Sequence, residues 1–410
     1  MASTIQALQF AFKTLWPQTR IQDEVYKKHA FLAMVPKSEN FVGDSEYIVL
    51  QTGDSQARSQ QFSTAQTISA LTGAGNAGSS RGSRFLLTRV KDYQIVNLDT
   101  EAMLASQGEG ALLKSLDVEM RGAVRNLGKS LAVALYRGQT GVLSTVGSFT
   151  GTTVTLSNIN DVTSFEVGMQ LVFAANTASA LRASGASITI TGVDRDLGVL
   201  TFASTAAITG LANADSIFAN GDYTAANDKL KCSGLLDWIP STTPSATTFF
   251  GVDRSTDPTR LAGLRIDASA LNPEEAVVLS LSRLAREGGD PSHMFVNHFD
   301  YRNILYALGS KVEMMYETVG EIGFQTLRIQ GTNGQVRVIA DQDCPAGRGF
   351  LLDMSTWHLH TLGPAPRVLD QDGNQLSRVY NADAFEARLA YWGNLYTDAP
   401  GYNANIAMPT

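Results

Sequence analysis

Apolar positions in this chain change their period several times, and each change marks an element. After Ser3, Ile5, Leu8, Phe12 and Leu15 recur at helical spacing as far as Pro17, which predicts a short amphipathic helix with Ser3 as its cap. A second helical stretch runs from Val25 to Met34 and ends before Pro36, and Tyr47 to Leu50 begins a strand. The pattern then lapses. From Gln51 to Arg84 only Phe62, Ile68 and Leu71 are large and apolar, too few to build a core. Phe85 to Leu98 reads as the partner strand, so the pair forms a hairpin with a very long excursion.

The strongest helical signal spans Glu109 to Arg137, where Leu112, Leu116, Met120, Ala123, Leu127, Leu131 and Leu135 follow one face until Gly138. A helix of that length is a strut of about 40 Å at 1.5 Å per residue. Between Val142 and Tyr223, short alternating runs such as TVTL, MQLVF, SITIT and VLTF sit among Gly, Thr, Ser and Ala, predicting an inserted, small all-β unit. Past Cys232 the mixture returns. Asn272 caps a helix with Pro273 in first position and ends at Gly288-Gly289, the strand HMFV follows, and Asn297 caps a helix ending at Gly309. Hairpins are expected at Asn333-Gly334 and Asp372-Gly373, then a final long strand from Phe385 to Tyr396. Strands on both sides of the helices make the class α+β.

Composition alters this picture in one respect. Only 17% of the 410 residues are charged, against the usual quarter or so, while glycines number 36. Low surface charge accompanies surface that is covered in an assembly. The net charge of -7 argues against affinity founded on neutralising a duplex. Locally the sign reverses: between Ser55 and Val90 stand Arg58, Arg81, Arg84 and Arg89 with no Asp or Glu, which suggests an acidic partner. The β unit has the opposite surplus, with Asp161, Glu166, Asp194, Asp196, Asp215 and Asp222 against Arg182 and Arg195, and an acidic face is expected. The N-terminus lacks the order of a signal peptide and no apolar run reaches the ~18–20 residues of a membrane span, so a protein soluble where it is made is expected. Cys232 and Cys344 stand far apart, which fits a reducing cytoplasm and predicts neither a disulfide framework nor a zinc site.

Chemistry-bearing motifs are few. Gly73, Gly75 and Gly78 match dinucleotide-binding spacing, but a polar loop follows where a helix must begin. Asp370, Asp372 and Asn374 open like a calcium loop whose twelfth position, Asn381, is not the required Glu. His358 and His360 share a strand face, as a metal pair would, without a third ligand; ordinary hydrogen bonds are the expected role, and likewise for His293 and His298. No Ser-x-x-Lys pair occurs, and Cys344 lies in a turn before Pro345. No catalytic residue, cofactor site or metal site is therefore assigned.

The run GTNGQVRVIADQDCPAGRGFLLDMSTWHLHTLG, followed by DAFEARLAYWGNLYTDAPGYNANI with Arg388 in its long strand, resembles the end of tailed-bacteriophage major capsid proteins of the Hong Kong ninety-seven type. NPEEAVVLSLSRLAREGGDPSHMFVNHFDYRNIL is similar to the helix-strand-helix core of their axial domain, and ALYRGQTGVL leads from a spine helix into a β insertion. The resemblance implies an N-terminal arm (1–40), an extended loop hairpin (41–98), a spine helix with peripheral domain (99–141), the inserted β domain (142–228), an axial domain (229–345) and returning peripheral strands (346–410). It implies a subunit that self-assembles as hexamers and pentamers into an icosahedral or prolate shell, put together in the host cytoplasm and resident in the virion capsid. It implies no enzymatic activity. An arm beginning at Met1, without the scaffolding-like extension of some members, implies a separate scaffolding protein. A portal, a decoration protein and packaged DNA held by non-specific contact are the other expected partners, and no membrane. Arg58, Arg81, Arg84 and Arg89 are the candidate assembly contacts. The alternative from another class is a phage or bacterial surface β-structured binding protein whose 142–223 unit recognises glycans; an oxidoreductase using the Gly73 loop is more remote still.

Overall fold

The computed structural model describes residues 13–26, 28–69, 79–99, 109–224, 229–308, 313–319, 322–331, 334–370 and 374–409. The first predicted helix, apart from Leu15, therefore lies outside the described residues, as do Gly73, Gly75, Gly78, Asn333, Asp372 and Gly373. The stretch expected to be one helix from Val25 to Met34 is two, α1 (Gln18–Tyr26) and α2 (Ala30–Met34). Between them His29 is extended and its Nδ1 lies 2.5 Å from Asp343 Oδ2, so a long-range polar contact outweighs helical propensity there.

After β1 (Lys37–Ser38), β2 (Ser45–Gly53) enters the long excursion, which contains a helix, α3 (Phe62–Ser69), with no buried residue. Its return differs from expectation. The stretch read as one partner strand is divided at Arg89 into β3 (Arg81–Thr88), which pairs with β2, and β4 (Val90–Asp99), which does not. Arg89 is held to Asp44 through its backbone N–H and its guanidinium, and this turns the chain away.

The strut, α4 (Glu109–Arg137), has the predicted bounds, and Gly138 stops it with φ of +101°. Met120, Ala123, Leu127, Leu131 and Leu135 are buried as the stripe requires; the side chains of Leu112 and Leu116 lie outside the described residues. The chain then forms β5 (Val142–Phe149), β6 (Thr153–Leu156), β7 (Gln170–Ala174), β8 (Ile188–Asp194), β9 (Val199–Phe202) and β10 (Ser216–Ala219), which close into a barrel in the order β10-β5-β6-β9-β8-β7. Val154, Phe165, Leu171, Phe173, Leu200 and Ile217 fill it without measurable exposure. Closure leaves no free strand edge.

Back in the body, α5 (Leu235–Trp238) packs at the end of α4, and β11 (Thr248–Phe249) and β12 (Val252–Asp253) form a small ribbon. Following α6 (Pro258–Ala262) come β13 (Leu264–Asp267), α7 (Pro273–Arg286), β14 (His293–Val296) and α8 (His298–Leu308). Asn272 caps α7 by position without a side-chain hydrogen bond, whereas Asn297 Oδ1 accepts from the Phe299 N–H at 3.2 Å. Next come β15 (Glu313–Val319), β16 (Ile322–Gln330), β17 (Gln335–Ala340) and β18 (Arg348–Leu352). They complete a seven-stranded sheet, β13-β23-β18-β14-β17-β16-β15, with α7 and α8 packed on its Met294 and Val338 side. One of its inner members, β23 (Ala404–Ala407), shows that the strand expected to be last is not: 384–397 is followed by a strand that runs parallel to β13 and antiparallel to β18.

The other large sheet is organised around one strand. After β19 (Trp357–Thr361), β20 (Arg367–Val368) and β21 (Leu376–Arg378), the 14-residue β22 (Ala384–Thr397) pairs with β4 on one edge and with β19, β20 and β21 in succession on the other. The hairpin expected about Asp372-Gly373 is therefore not formed between its flanking strands, because β22 is long enough to take both end to end. Its inner face, with Leu389 and Tyr391, packs with Leu127 and Leu131 of α4 in the largest core cluster. The class is α+β, as expected.

Candidate assembly surfaces

The register of the β2–β3 ribbon gives it two unlike faces. Ile48 opposite Phe85 and Glu46 opposite Leu87 point inward, where Phe85 and Leu87 are fully buried and the Phe85 ring lies 5.4 Å from Trp238. The Leu86 N–H donates to the Phe250 carbonyl at 2.9 Å, and Glu46 lies 3.2 Å from His360 Nδ1, so the base of the ribbon is fixed to the body. On the outer face Tyr47 stands opposite Leu86 and Val49 opposite Arg84, with Tyr47 68% and Val49 66% exposed. Phe62 of α3, at the far end, is 82% exposed. A two-stranded ribbon is marginally stable alone. This one leaves Tyr47 and Val49 to water.

The four arginines do not share one environment. Arg58, Arg81 and Arg84 are exposed along the excursion, while Arg89 pairs at 2.7 Å with Asp44 of its own chain. Counting charge between Ser55 and Val90 missed Asp44 because it lies eleven residues before that window. Sequence reading also missed Tyr47 and Val49; alternation in YIVL marked a strand but could not say which face would lack cover.

The acidic face expected on the barrel is mostly neutralised. Asp215 is bound by Arg182, Glu166 by Arg195, Asp161 by Arg137, and Asp222 by Lys231. The last two cations come from outside the barrel, so part of the surplus serves to attach it. Burial of Asp222 raises its pKa, and the Lys231 charge opposes that shift.

A second cluster sits where α2, α4 and the end of β17 meet. Asp341 Oδ2 accepts from the Phe31 N–H at 3.0 Å and the Tyr136 hydroxyl at 2.9 Å, and Oδ1 accepts from the Asp343 N–H at 3.1 Å. Burial, and then the neighbouring Asp343 charge, push the Asp341 carboxyl up to about 6. Burial raises the Cys344 thiol well above its ordinary value and the Cys232 thiol to about 12, so both are held protonated. His358 Nε2 lies 3.0 Å from Asp398, and His293 Nδ1 2.8 Å from Ser292 Oγ. Among the described residues no three His, Cys, Asp or Glu side chains are placed to hold a metal ion, and no helix is long and apolar enough to cross a membrane.

Residues 211–380, less than half of the chain, match the model of the SU10 major capsid protein family. On that match the chain is a major capsid protein of a tailed phage, and its place is the virion capsid. No curated protein matches it. Solved structures with a similar course include the cyanophage A-1(L) capsid asymmetric unit, at 9% identity over 93% of each chain and a TM-score of 0.47. The capsid of a native GTA particle follows at 10% identity over 94% of this chain and 91% of that one, with a TM-score of 0.45. Mycobacterium phage Ogopogo gives 7%, 93%, 92% and 0.42.

Proposed function

We propose that this capsid protein closes into an icosahedral or prolate shell around the phage genome as hexamers and pentamers, acting by assembly and not by catalysis. A separate scaffolding protein directs assembly, a portal and a decoration protein join the shell, and packaged DNA is touched without sequence preference. The observation that carries this reading is the ribbon itself, rooted by Phe85 and Leu87 and bare at Tyr47 and Val49. In the shell that face lies on a second copy of the chain, with Arg58, Arg81, Arg84 and Arg89 on or beside the contact. The subunit divides into an arm (1–40), loop hairpin (41–98), spine and peripheral domain (99–141), β insertion (142–228), axial domain (229–345) and returning strands (346–410).

The test is expression with the scaffolding protein, followed by electron microscopy and sedimentation. Closed particles from the wild type, and folded subunits without particles from Tyr47→Ser combined with Val49→Ser, support the reading. A compact monomer at every concentration overturns it.

A further inference from the structure

The barrel and the body of the subunit share no hydrophobic core among the described residues. Buried side chains of the barrel cluster around Phe173 and around Phe218, those of the body around α4 and around α7, and no cluster crosses the junction. Polar contacts join the two instead. Arg125, Lys129 and Arg137, four and eight residues apart on one face of α4, line a cleft of about 690 Å³ whose other wall carries Glu166 and Val167 of the barrel.

The two ends of this cleft differ. At the inner end Arg137 Nη2 lies 2.5 Å from Asp161 Oδ1, with the side chains only 14% and 11% exposed. Arg137 also donates to the Leu143 carbonyl, and Asp161 Oδ2 accepts from Ser144 Oγ at 2.8 Å. At the outer end, two helical turns away, Lys129 donates to the Thr163 carbonyl and stands 3.6 Å from Glu166, which is 63% exposed and shared with Arg195. Where α4 leads into the barrel, the Lys231 N–H of the body donates to the Gln139 carbonyl at 3.1 Å. Gly138, Gly141 and Gly221 stand near this junction at φ of +101°, +72° and +96°. Lys231 Nζ joins the two bodies by bonding Asp92 at 2.7 Å and Asp222 at 2.9 Å.

We propose that the barrel is a hinged body, turning at the junction of Gly138 to Gly141, with Arg137–Asp161 as its pivot and Lys129–Glu166 as a clasp that salt releases. The asymmetry follows from screening. An exposed pair of long side chains loses its attraction as the Debye length falls to about 3 Å at 1 M salt, whereas a largely buried pair is screened far less. A closed barrel can turn as one unit because no strand has to leave a sheet. The inference does not depend on shell formation, since every contact lies within one chain.

The experiment measures a distance across the cleft in the full chain. Spin labels are placed at Asn126→Cys on α4 and Val167→Cys on the barrel, both exposed and both lining the cleft, while Cys232 and Cys344 are buried. Pulsed dipolar spectroscopy at 0.05 M NaCl gives one narrow distance, and at 1 M NaCl the distribution at least doubles in width and its mean lengthens. Lys129→Ala, with an unchanged thermal melt, gives the broad distribution at both salt concentrations, and Lys129→Arg restores the narrow one at low salt. A narrow, unchanged distance in the wild type at both concentrations overturns the hinge without reference to any variant. Salt broadening that Lys129→Ala leaves unaltered overturns the clasp.

Discussion

Val25 of α1 packs against Gly128 of α4 so closely that a Cβ at Gly128 would stand 2.9 Å from Val25 Cγ1. The missing side chain lets the arm helix approach the spine, and Arg20–Asp117 at 3.0 Å and Arg125–Glu24 at 2.7 Å fasten the same pair of helices. Gly128→Val should therefore cost about 1–3 kcal/mol by overpacking and loosen α1. Native-state trypsin cleavage at Arg20 should speed up, and Val25→Ala in the same chain should restore most of the resistance. Equal cleavage rates in all three proteins would place the anchoring of α1 elsewhere.

Met120 and Leu127 are buried where α4 faces the sheet. Met120→Asp or Leu127→Asp puts an unpaired charge there, and a loss of several kcal/mol is expected before any assembly step. Soluble subunits with a wild-type melting temperature would show that the stripe tolerates water.

The arginines separate into two groups with different readouts. Arg58→Glu, Arg81→Glu and Arg84→Glu together should leave the subunit folded and abolish particles when the scaffold is present. Arg89→Glu instead breaks the pair with Asp44. Because the Arg89 side chain is only 14% exposed, the substitution should lower the melting temperature of the unassembled subunit. Wild-type particle yield from the triple variant would remove these three positions from the contact.

Residues 142–223 expressed alone should fold, because the barrel closes its own hydrogen bonding and fills its own interior. Circular dichroism is expected to show β structure with a cooperative melt. A random-coil spectrum would mean that α4 and Lys231 are needed to hold the strands together.

Asp341 links stability to pH in a definite direction. Its folded pKa of about 6 lies above the ordinary carboxyl value, so the folded state binds the proton more tightly and the group's contribution declines as pH rises from about 4 through 6. Relative to Asp341→Asn, which cannot titrate, the wild type should lose at most about 3 kcal/mol across that window, at 1.36 kcal/mol per pKa unit. Denaturant melts at pH 4.5, 5.5 and 7 measure the gap, and a constant gap would show that the carboxyl does not titrate there.

Elements whose signal is local were legible in the amino-acid order. The bounds of α4 follow from its apolar repeat and from Gly138, and the barrel strands follow from short alternating runs between turns. Few charges and the absence of a chemistry-bearing cluster pointed to an assembly subunit. Tertiary structure decided the rest, because pairing partners and faces depend on what arrives from elsewhere in the chain. Arg89 divides one predicted strand because Asp44 is there to hold it; β20 and β21 ignore each other because β22 offers a longer edge to both. The acids of the barrel had a sign in the sequence but no addressee. Only the fold sets Asp161 against Arg137 and Asp222 against Lys231, converting a predicted outward face into an attachment. Charge is a property of a residue, whereas its neutralisation requires two residues within a few ångströms, and only the folded chain supplies that distance.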